Sequence, residues 1–365
     1  MTTRVEVRLH GKRNIRRLER QSRRLAVSHA KEKTVPILTF ARRKIGETLE
    51  IYWILVRIMV PVILLTELLS RLGLIDALAP AFGPVMSLVG LPPELGLAWL
   101  TGLLVGMWGA IPILFTLVPV SELSVADVTV FSSLLLIAHA LPLEQKIVQK
   151  AGPGLIVTML FRALGGLLYA FILHRLLSAT GWLSAPANPA WIPMSTSSDW
   201  RDVFSGLLET MLTMLVILLA LQCALDILKR TGILDLLITA MAPLLQLAGI
   251  KREAGHLAAV GLFLGISYGG GLLIREARSG AVSPRQVFLT CVFMGFAHSI
   301  IEDTLLVVAL GADVGGVLVG RLVFAVIATA VVARIVRNLP DATFFRWAFH
   351  NPGPAEEKPA VMRRG

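Results

Sequence analysis

Charge and cysteine are both scarce in this sequence. Only 16% of its 365 residues are charged, 55% are hydrophobic, and the mean hydropathy is +0.73. Soluble globular proteins of this length carry more charge, so that class is excluded. The two cysteines, Cys223 and Cys291, lie inside apolar stretches and have neither the spacing of a disulfide framework nor that of a CxxC metal site. No GxxxxGKS or GxxxxGKT phosphate-binding loop occurs in the sequence.

Long apolar runs are abundant instead. A helix needs about 20 predominantly apolar residues to cross a bilayer. Eight stretches reach or approach that length, near residues 51–70, 95–118, 128–143, 154–177, 205–228, 256–274, 286–301 and 304–336. The chain is therefore predicted to be an all-α polytopic membrane protein. We find no nucleophile with a nearby base and no HExxH motif, so an enzyme is not predicted and no cofactor is expected.

The formal net charge of +11 is concentrated at the start of the chain. Residues 1–44 carry this whole excess, and the basic and acidic residues after them balance. A basic arm directly before a membrane helix is typical of the cytoplasmic side and of contact with anionic lipid. Membrane lipids are therefore predicted partners, and nucleic acid, the other partner of basic arms, is not.

The sequence repeats itself at an offset of 159 residues. RLGLID at 71–76 lies over RTGILD at 230–235, and His139, Arg162 and Arg175 lie over His298, Arg321 and Arg334. Glycines and ionisable residues seldom keep one offset over such a distance by chance, so two copies of one unit are predicted. The predicted organisation is a basic cytoplasmic arm (1–44), a first membrane repeat (45–179), an external linker (180–203), a second membrane repeat (204–338) and a cytoplasmic tail (339–365).

The distribution of basic residues predicts that the repeats have opposite topology. Residues 72–145 contain no Lys or Arg, whereas the matching stretch of the second repeat contains Lys251, Arg252, Arg275, Arg278 and Arg285. By the positive-inside rule, these loops face outward in the first repeat and inward in the second. Two inverted repeats, with both termini cytoplasmic, are therefore predicted.

One apolar segment of each repeat is interrupted at its middle. The interruptions are GMWGAIP at 106–112 and GISYGGG at 265–271. If each segment enters the membrane and returns, all five basic residues of the second repeat lie inside, so re-entrant hairpins are predicted. Each repeat then has three spans, an interfacial helix (about 74–90 or 233–249) and a re-entrant hairpin.

GMWGAIPIL, followed some thirty residues later by AHALPLEQ, resembles the paired gate motif of ferrous-iron transporter membrane domains. The wider group is the Gate-domain (nucleoside-recognition) superfamily, which includes concentrative nucleoside transporters and spore-maturation membrane proteins. GISYGGGLLIREA and AHSIIEDT look closest to bacterial Gate-domain proteins, and this resemblance implies a location in a bacterial inner (plasma) membrane. Gly109 stands where the iron family has its tip cysteine, and the polar tip residues of the nucleoside family are missing. The resemblance implies the fold more directly than the cargo.

The hairpin tips are the predicted substrate contacts, and packing between hairpins is the alternative role for them. The candidate substrate-binding residues are Gly106, Trp108, Gly109, His139, Ser267, Tyr268 and Gly269. A small molecule or an ion is the expected solute.

Two ion pairs are predicted between neighbouring spans. Arg162 and Arg321 lie about ten residues into apolar helices, where an unpaired charge costs at least about 2.5–3.5 kcal/mol. Counting back through the turn that joins the last two spans puts Glu144 level with Arg162. The same count puts Asp303 level with Arg321, so each repeat is expected to hold one structural ion pair.

His298 and Glu302 are four residues apart and are expected to share one helix face. We expect them to carry a coupling proton or cation beside a central cavity. Structural hydrogen bonding is the alternative, and a metal site is not predicted, because no third ligand is evident.

The sequence thus favours a secondary transporter of a small solute with proton or cation coupling. A non-transporting membrane assembly or scaffold factor, similar to spore-maturation proteins, is the alternative, and an intramembrane enzyme is a third choice. Assembly into a homo-oligomer is left open.

Overall fold

The computed structural model describes residues 37–190 and 199–350. Most of the predicted basic arm, the middle of the predicted linker and the end of the predicted tail lie outside these residues. The chain divides into two compact units, Met1–Trp53 and Ile54–Gly365. The described part of the first unit is the beginning of helix α1. The second unit contains the rest of α1 and all the helices that follow it.

The described residues form α-helices joined by short connections. The first half contains α1 (Ile37–Arg71), α2 (Leu74–Leu88), α3 (Leu95–Leu104), α4 (Met107–Leu117), α5 (Val125–Ile137), α6 (Leu141–Gln149) and α7 (Leu155–Thr180), with a 3-10 turn at Val120–Glu122. The second half contains α8 (Trp200–Arg230), α9 (Ile233–Ala240), α10 (Ala242–Leu247), α11 (Arg252–Ser279), α12 (Pro284–Phe296), α13 (Glu302–Ala309), a π-helix (Gly315–Gly320), α14 (Arg321–Asn338) and α15 (Asp341–Trp347). The predicted all-α class is confirmed for this part of the chain.

Five helical segments in the described residues are long and apolar enough to cross a membrane. They are Thr48–Arg71, Val125–Gln149, Leu155–Thr180, Trp200–Arg230 and Gly315–Asn338. In Val125–Gln149, 78% of the most apolar window is buried inside the protein, against 11% in Trp200–Arg230. Val125–Gln149 is therefore a central element, whereas Trp200–Arg230 leaves most of its apolar surface for lipid.

Helix boundaries recur at the spacing found in the sequence. α2 begins at Leu74 and α9 at Ile233, α5 begins at Val125 and α12 at Pro284, and α1 and α8 end at Arg71 and Arg230. The buried helices α5 and α12 form the core, because α5 packs on α7, and α12 packs on both α7 and α14. The largest buried side chains of these two helices are phenylalanines, Phe131, Phe288, Phe293 and Phe296. The core therefore lies where the two halves of the chain meet.

Each half also contains two backbone breaks that face each other. Gly106, between α3 and α4, has φ 122°, and Gly265, inside α11, has φ 79°. Ala140, before α6, has φ 45°, and Ser299, before α13, has φ 47°. A Cβ on Gly106 would lie 3.5 Å from that of Ala140, and one on Gly265 would lie 2.3 Å from Oγ of Ser299. In each half, the break in the apolar segment therefore lies against the break that precedes a later helix.

The second of these helix breaks corrects the predicted spans. The segment expected near 286–301 ends as α12 at Phe296, and α13 begins only at Glu302. Between them the amide of Ile300 donates to the carbonyl of Leu262 at 2.9 Å, outside any helical pattern. In the first half the amide of Ala140 donates to the carbonyl of Gly102 at the same distance. Hydropathy could not predict these breaks, because the segments around them are mostly apolar and read as continuous spans.

Candidate functional site

Two histidines meet where the buried helices α5 and α12 end. His139 follows α5 and His298 follows α12, at positions 159 residues apart. Their Nε2 atoms are 3.3 Å apart, and their ring centroids are 4.9 Å apart. His139 is 7% exposed and His298 is 1% exposed, so both rings are shielded from water. Each half of the chain thus contributes one histidine to a common buried centre.

Backbone hydrogen bonds determine which ring nitrogen carries the hydrogen. Nδ1 of His139 is 2.7 Å from the carbonyl oxygen of Leu135, and Nδ1 of His298 is 2.9 Å from that of Met294. A carbonyl oxygen only accepts hydrogen bonds, so each Nδ1 must donate. In neutral imidazoles both Nε2 atoms then carry lone pairs, and these lone pairs face each other. Such an arrangement favours a positive charge at the Nε2 atoms.

Two carboxylates complete the centre, again at positions 159 residues apart. Oε1 of Glu144 is 3.6 Å from Nε2 of His139, and Oε2 is 3.5 Å from Nε2 of His298. Oδ2 of Asp303 is 3.8 Å from Nε2 of His139. We call these four residues, His139, His298, Glu144 and Asp303, the paired centre. Their negative charge surrounds the two Nε2 atoms, which adds to the preference for a cation there.

Two buried arginines lie behind the paired centre. Arg162 on α7 donates from Nη1 to Oε2 of Glu144 and from Nε to the carbonyl of Ile137 at 2.8 Å. Arg321 on α14 donates from Nη2 to the carbonyl of His298 at 2.9 Å. Both arginines use a carbonyl that a helix break has left without its helical partner. The arginines therefore tie the breaks that carry the histidines to the neighbouring helices.

Of the two predicted ion pairs, one is present in the described residues and the other is not. Glu144 and Arg162 are in contact, as the sequence predicts. Asp303 and Arg321 form no ion pair within the described residues, and Oδ2 of Asp303 has no hydrogen-bond partner there. The reason is the break between α12 and α13, which presents the carbonyl of His298 to the guanidinium. Asp303 instead directs a carboxylate oxygen toward His139.

The expected helix face shared by His298 and Glu302 is not formed. The four-residue rule requires continuous helix, and Ser299 between them has φ 47°. Glu302 begins α13, and its side chain makes no hydrogen bond or ion pair in the described part of the chain. Asp303, one residue later, is the carboxylate that reaches the histidines. Because the helix is broken before Glu302, Asp303 takes the place beside the histidines that the sequence predicts for Glu302.

Among the predicted tip residues with described side chains, Gly106 is the one that lies next to the paired centre. Gly106 contacts the loop residue that follows His139, and Gly109 and Gly269 are buried against neighbouring helical turns. Trp108 is half-buried. The predicted contacts at Ser267 and Tyr268 concern side chains that lie outside the described part of the structure. The described tips are therefore apolar or glycine surfaces, and the polar groups near them belong to the paired centre.

Sequence reasoning missed the contact between His139 and His298. The available signal was that both occupy equivalent positions in the two repeats, which a two-fold arrangement can bring to one axis. It also missed a third metal ligand, since ligand atoms of His139, His298 and Asp303 all lie within 4.8 Å of one another. These three residues are the ones in the described structure that could hold a metal ion.

Comparison with known proteins places all four residues of the paired centre inside a family match. The family described as Gate, nucleoside recognition, matches residues 52–152 and 211–313, which is one segment in each repeat and more than half of the chain. An uncharacterized membrane protein of Bacillus subtilis (strain 168), YvoD, is 26% identical over 289 residues, covering 77% of this chain and 90% of that protein. No solved structure matches. The matched segments include all four residues of the paired centre, whereas Arg162 and Arg321 follow them.

Proposed function

Because the chain belongs to the Gate (nucleoside recognition) family of membrane proteins, we propose that it is a secondary transporter of a small solute, driven by a proton or cation gradient. The observation that carries the proposal is the paired centre. Four ionisable side chains and two arginines converge between helices that are otherwise apolar. Charged groups inside membrane proteins are costly and usually mark ion or substrate pathways.

The position of the paired centre supports transport over simple packing. It lies at the junction of the two halves, and both backbone breaks of each half are next to it. In secondary transporters, sites form at the interface of repeats, where broken helices leave backbone groups free to bind solute or ion. The tip residues Gly106, Trp108, Gly109, Ser267, Tyr268 and Gly269 are the proposed solute contacts, together with His139.

We propose a position for the coupling ion that differs from the one predicted from the sequence. The sequence assigns this role to His298 and Glu302. We now place the ion between His298 and His139, where two lone pairs and two carboxylates meet, and leave Glu302 at the edge of the site. A scaffold role is the second candidate, and the Glu144–Arg162 contact favours it, because such a pair can simply lock two helices together.

Ligand-dependent stability followed by uptake tests the proposal. Purified protein is screened by thermal shift against metabolites and ions, and each stabilising solute is then offered to proteoliposomes that contain the protein. We expect saturable accumulation that ionophores abolish and that His139→Gln reduces strongly. His256→Gln is the matched control, because this histidine is exposed and takes no part in the described contacts of the paired centre. Stabilising solutes that never accumulate would overturn the transporter and favour the scaffold.

A further inference from the structure

The facing Nε2 lone pairs, with Asp303 beside them, have the form of a set of metal ligands. We propose that His139, His298 and Asp303 bind one divalent transition-metal cation. This inference goes beyond the proposed function, because binding at the paired centre does not require that the protein transports.

The distances match a small tetrahedral ion. Zinc binds imidazole nitrogen and carboxylate oxygen at about 2.0–2.2 Å, so neighbouring ligand atoms in a tetrahedron are about 3.3–3.5 Å apart. The two Nε2 atoms are already 3.3 Å apart. Oδ2 of Asp303 is 3.8 Å from Nε2 of His139, and the three ligand atoms lie within 4.8 Å of one another. A small movement of the Asp303 side chain therefore closes the site, and the histidines need not move.

The hydrogen bonds behind the histidines are those that metal ligands have. A histidine that binds a metal through one nitrogen usually donates its other N–H to a carboxylate or a backbone carbonyl, which orients the ring. His139 and His298 both do this, with the carbonyls of Leu135 and Met294. Both rings are therefore oriented for a metal before any metal is bound.

The two carboxylates have different roles in the proposed site. Glu144 accepts from Arg162, so its charge is already compensated. Oδ2 of Asp303 is buried and has no hydrogen-bond partner in the described residues, so it is free to bind the ion. Three protein ligands leave a fourth position for water or solute, as in zinc sites that are not purely structural. Arg321, which has no ion-pair partner in the described residues, opposes a positive ion and should lower its affinity.

The ligand types indicate which ions fit. Imidazole nitrogen suits zinc, cobalt, nickel, copper and iron, whereas magnesium and calcium prefer sites made only of oxygen. We therefore expect Zn²⁺ or Co²⁺ to bind and Mg²⁺ not to compete at millimolar excess. This selectivity distinguishes the proposed site from a general attraction of cations to two carboxylates.

Cobalt titration of the purified full chain is the test. The protein carries no polyhistidine tag, and His10, His29, His350 and Cys223 are replaced so that they cannot bind the metal. We expect one Co²⁺ per chain, with the visible absorption bands of a four-coordinate site that Zn²⁺ removes and Mg²⁺ does not. His139→Gln or His298→Gln should abolish the bands, Asp303→Asn should weaken binding at least about tenfold, and His256→Gln should change nothing.

If a histidine variant fails to fold, X-ray absorption of the zinc-loaded parent protein still tests the proposed metal site. The spectrum should require two imidazole ligands at about 2.0 Å. The proposal is overturned if the parent protein binds no Co²⁺ or Zn²⁺, which would leave a shared proton as the positive charge between the rings. It is equally overturned if the histidine variants bind as well as the parent.

Discussion

At the scale of single residues, the two carboxylates of the paired centre occupy equivalent sequence positions and differ in their contacts. Glu144 is held by Arg162, whereas Oδ2 of Asp303 has no hydrogen-bond partner in the described structure. Removing the carboxylate that is hydrogen-bonded to a buried guanidinium is strongly destabilising. Removing one that makes no hydrogen bond takes away only a longer-range attraction, here the attraction of Asp303 for the buried Arg321. Substitution of Glu144 should therefore affect mainly stability, and substitution of Asp303 mainly metal binding.

Neutral substitutions at these positions test that difference. Glu144→Gln leaves the buried Arg162 uncompensated and should lower the free energy of unfolding by roughly 3–5 kcal/mol. Asp303→Asn should cost less, because it breaks no hydrogen bond in the described structure, while it weakens metal binding. Unfolding in detergent, followed by circular dichroism during denaturant titration, measures both variants under the same conditions. Equal losses, or a larger loss for Asp303→Asn, would contradict the described contacts.

At the scale of elements, the backbone breaks place the paired centre. Gly265 interrupts α11 with φ 79°, and a Cβ there would lie 2.3 Å from Oγ of Ser299, the residue after His298. Gly271, six residues later in the same helix, keeps helical geometry, and a Cβ added there would meet no atom within 4 Å. Glycine is thus required at one of these positions and is only tolerated at the other.

The pair Gly265→Ala and Gly271→Ala is a matched test of the break. Gly265→Ala forces a side chain into a conformation that costs about 1–3 kcal/mol, and it displaces the loop that holds His298. Gly271→Ala should stabilise the helix by about 0.4–1 kcal/mol, because alanine loses less backbone entropy on folding. Thermal denaturation in detergent shows whether each variant is more or less stable than the parent protein. If both variants were stabilised, α11 would be a continuous helix without the described break.

The elements also show where sequence reasoning succeeds and where it stops. Helix starts at Val125 and Pro284 follow from the repeat, because equivalent apolar segments fold alike. The breaks before α6 and α13 do not follow from it, since hydropathy and spacing contain no information about which backbone amide bonds to a carbonyl of a neighbouring helix. The predicted face of His298 and Glu302 and the predicted Asp303–Arg321 pair both assumed an unbroken helix. Both expectations therefore missed the observed geometry for the same physical reason.

At the scale of the whole molecule, the inverted arrangement of the repeats is a prediction from charge. It requires the segment after α7 and the turn after α11 to lie on opposite sides of the membrane. Ser184 and Ser279 are exposed in these two segments and serve as reporter positions. The contact of the two histidines is compatible with such a two-fold arrangement, since equivalent residues meet at a common axis.

Cysteine labelling tests the arrangement in intact cells. In a background with Cys223 and Cys291 replaced, a membrane-impermeant maleimide should modify Ser184→Cys from outside. It should modify Ser279→Cys only after the cells are opened. Labelling of both positions from the same side would exclude opposite topology for the repeats.

The central claim is that the two repeats meet at a paired histidine centre that binds a cation. An anomalous difference map from crystals grown with zinc tests it most directly, because the map locates the metal and the surrounding density locates its ligands. The account predicts one peak about 2.0–2.1 Å from Nε2 of both His139 and His298, with the carboxylate of Asp303 turned toward it. Histidines that lie apart, or a map with no peak between them, would contradict it.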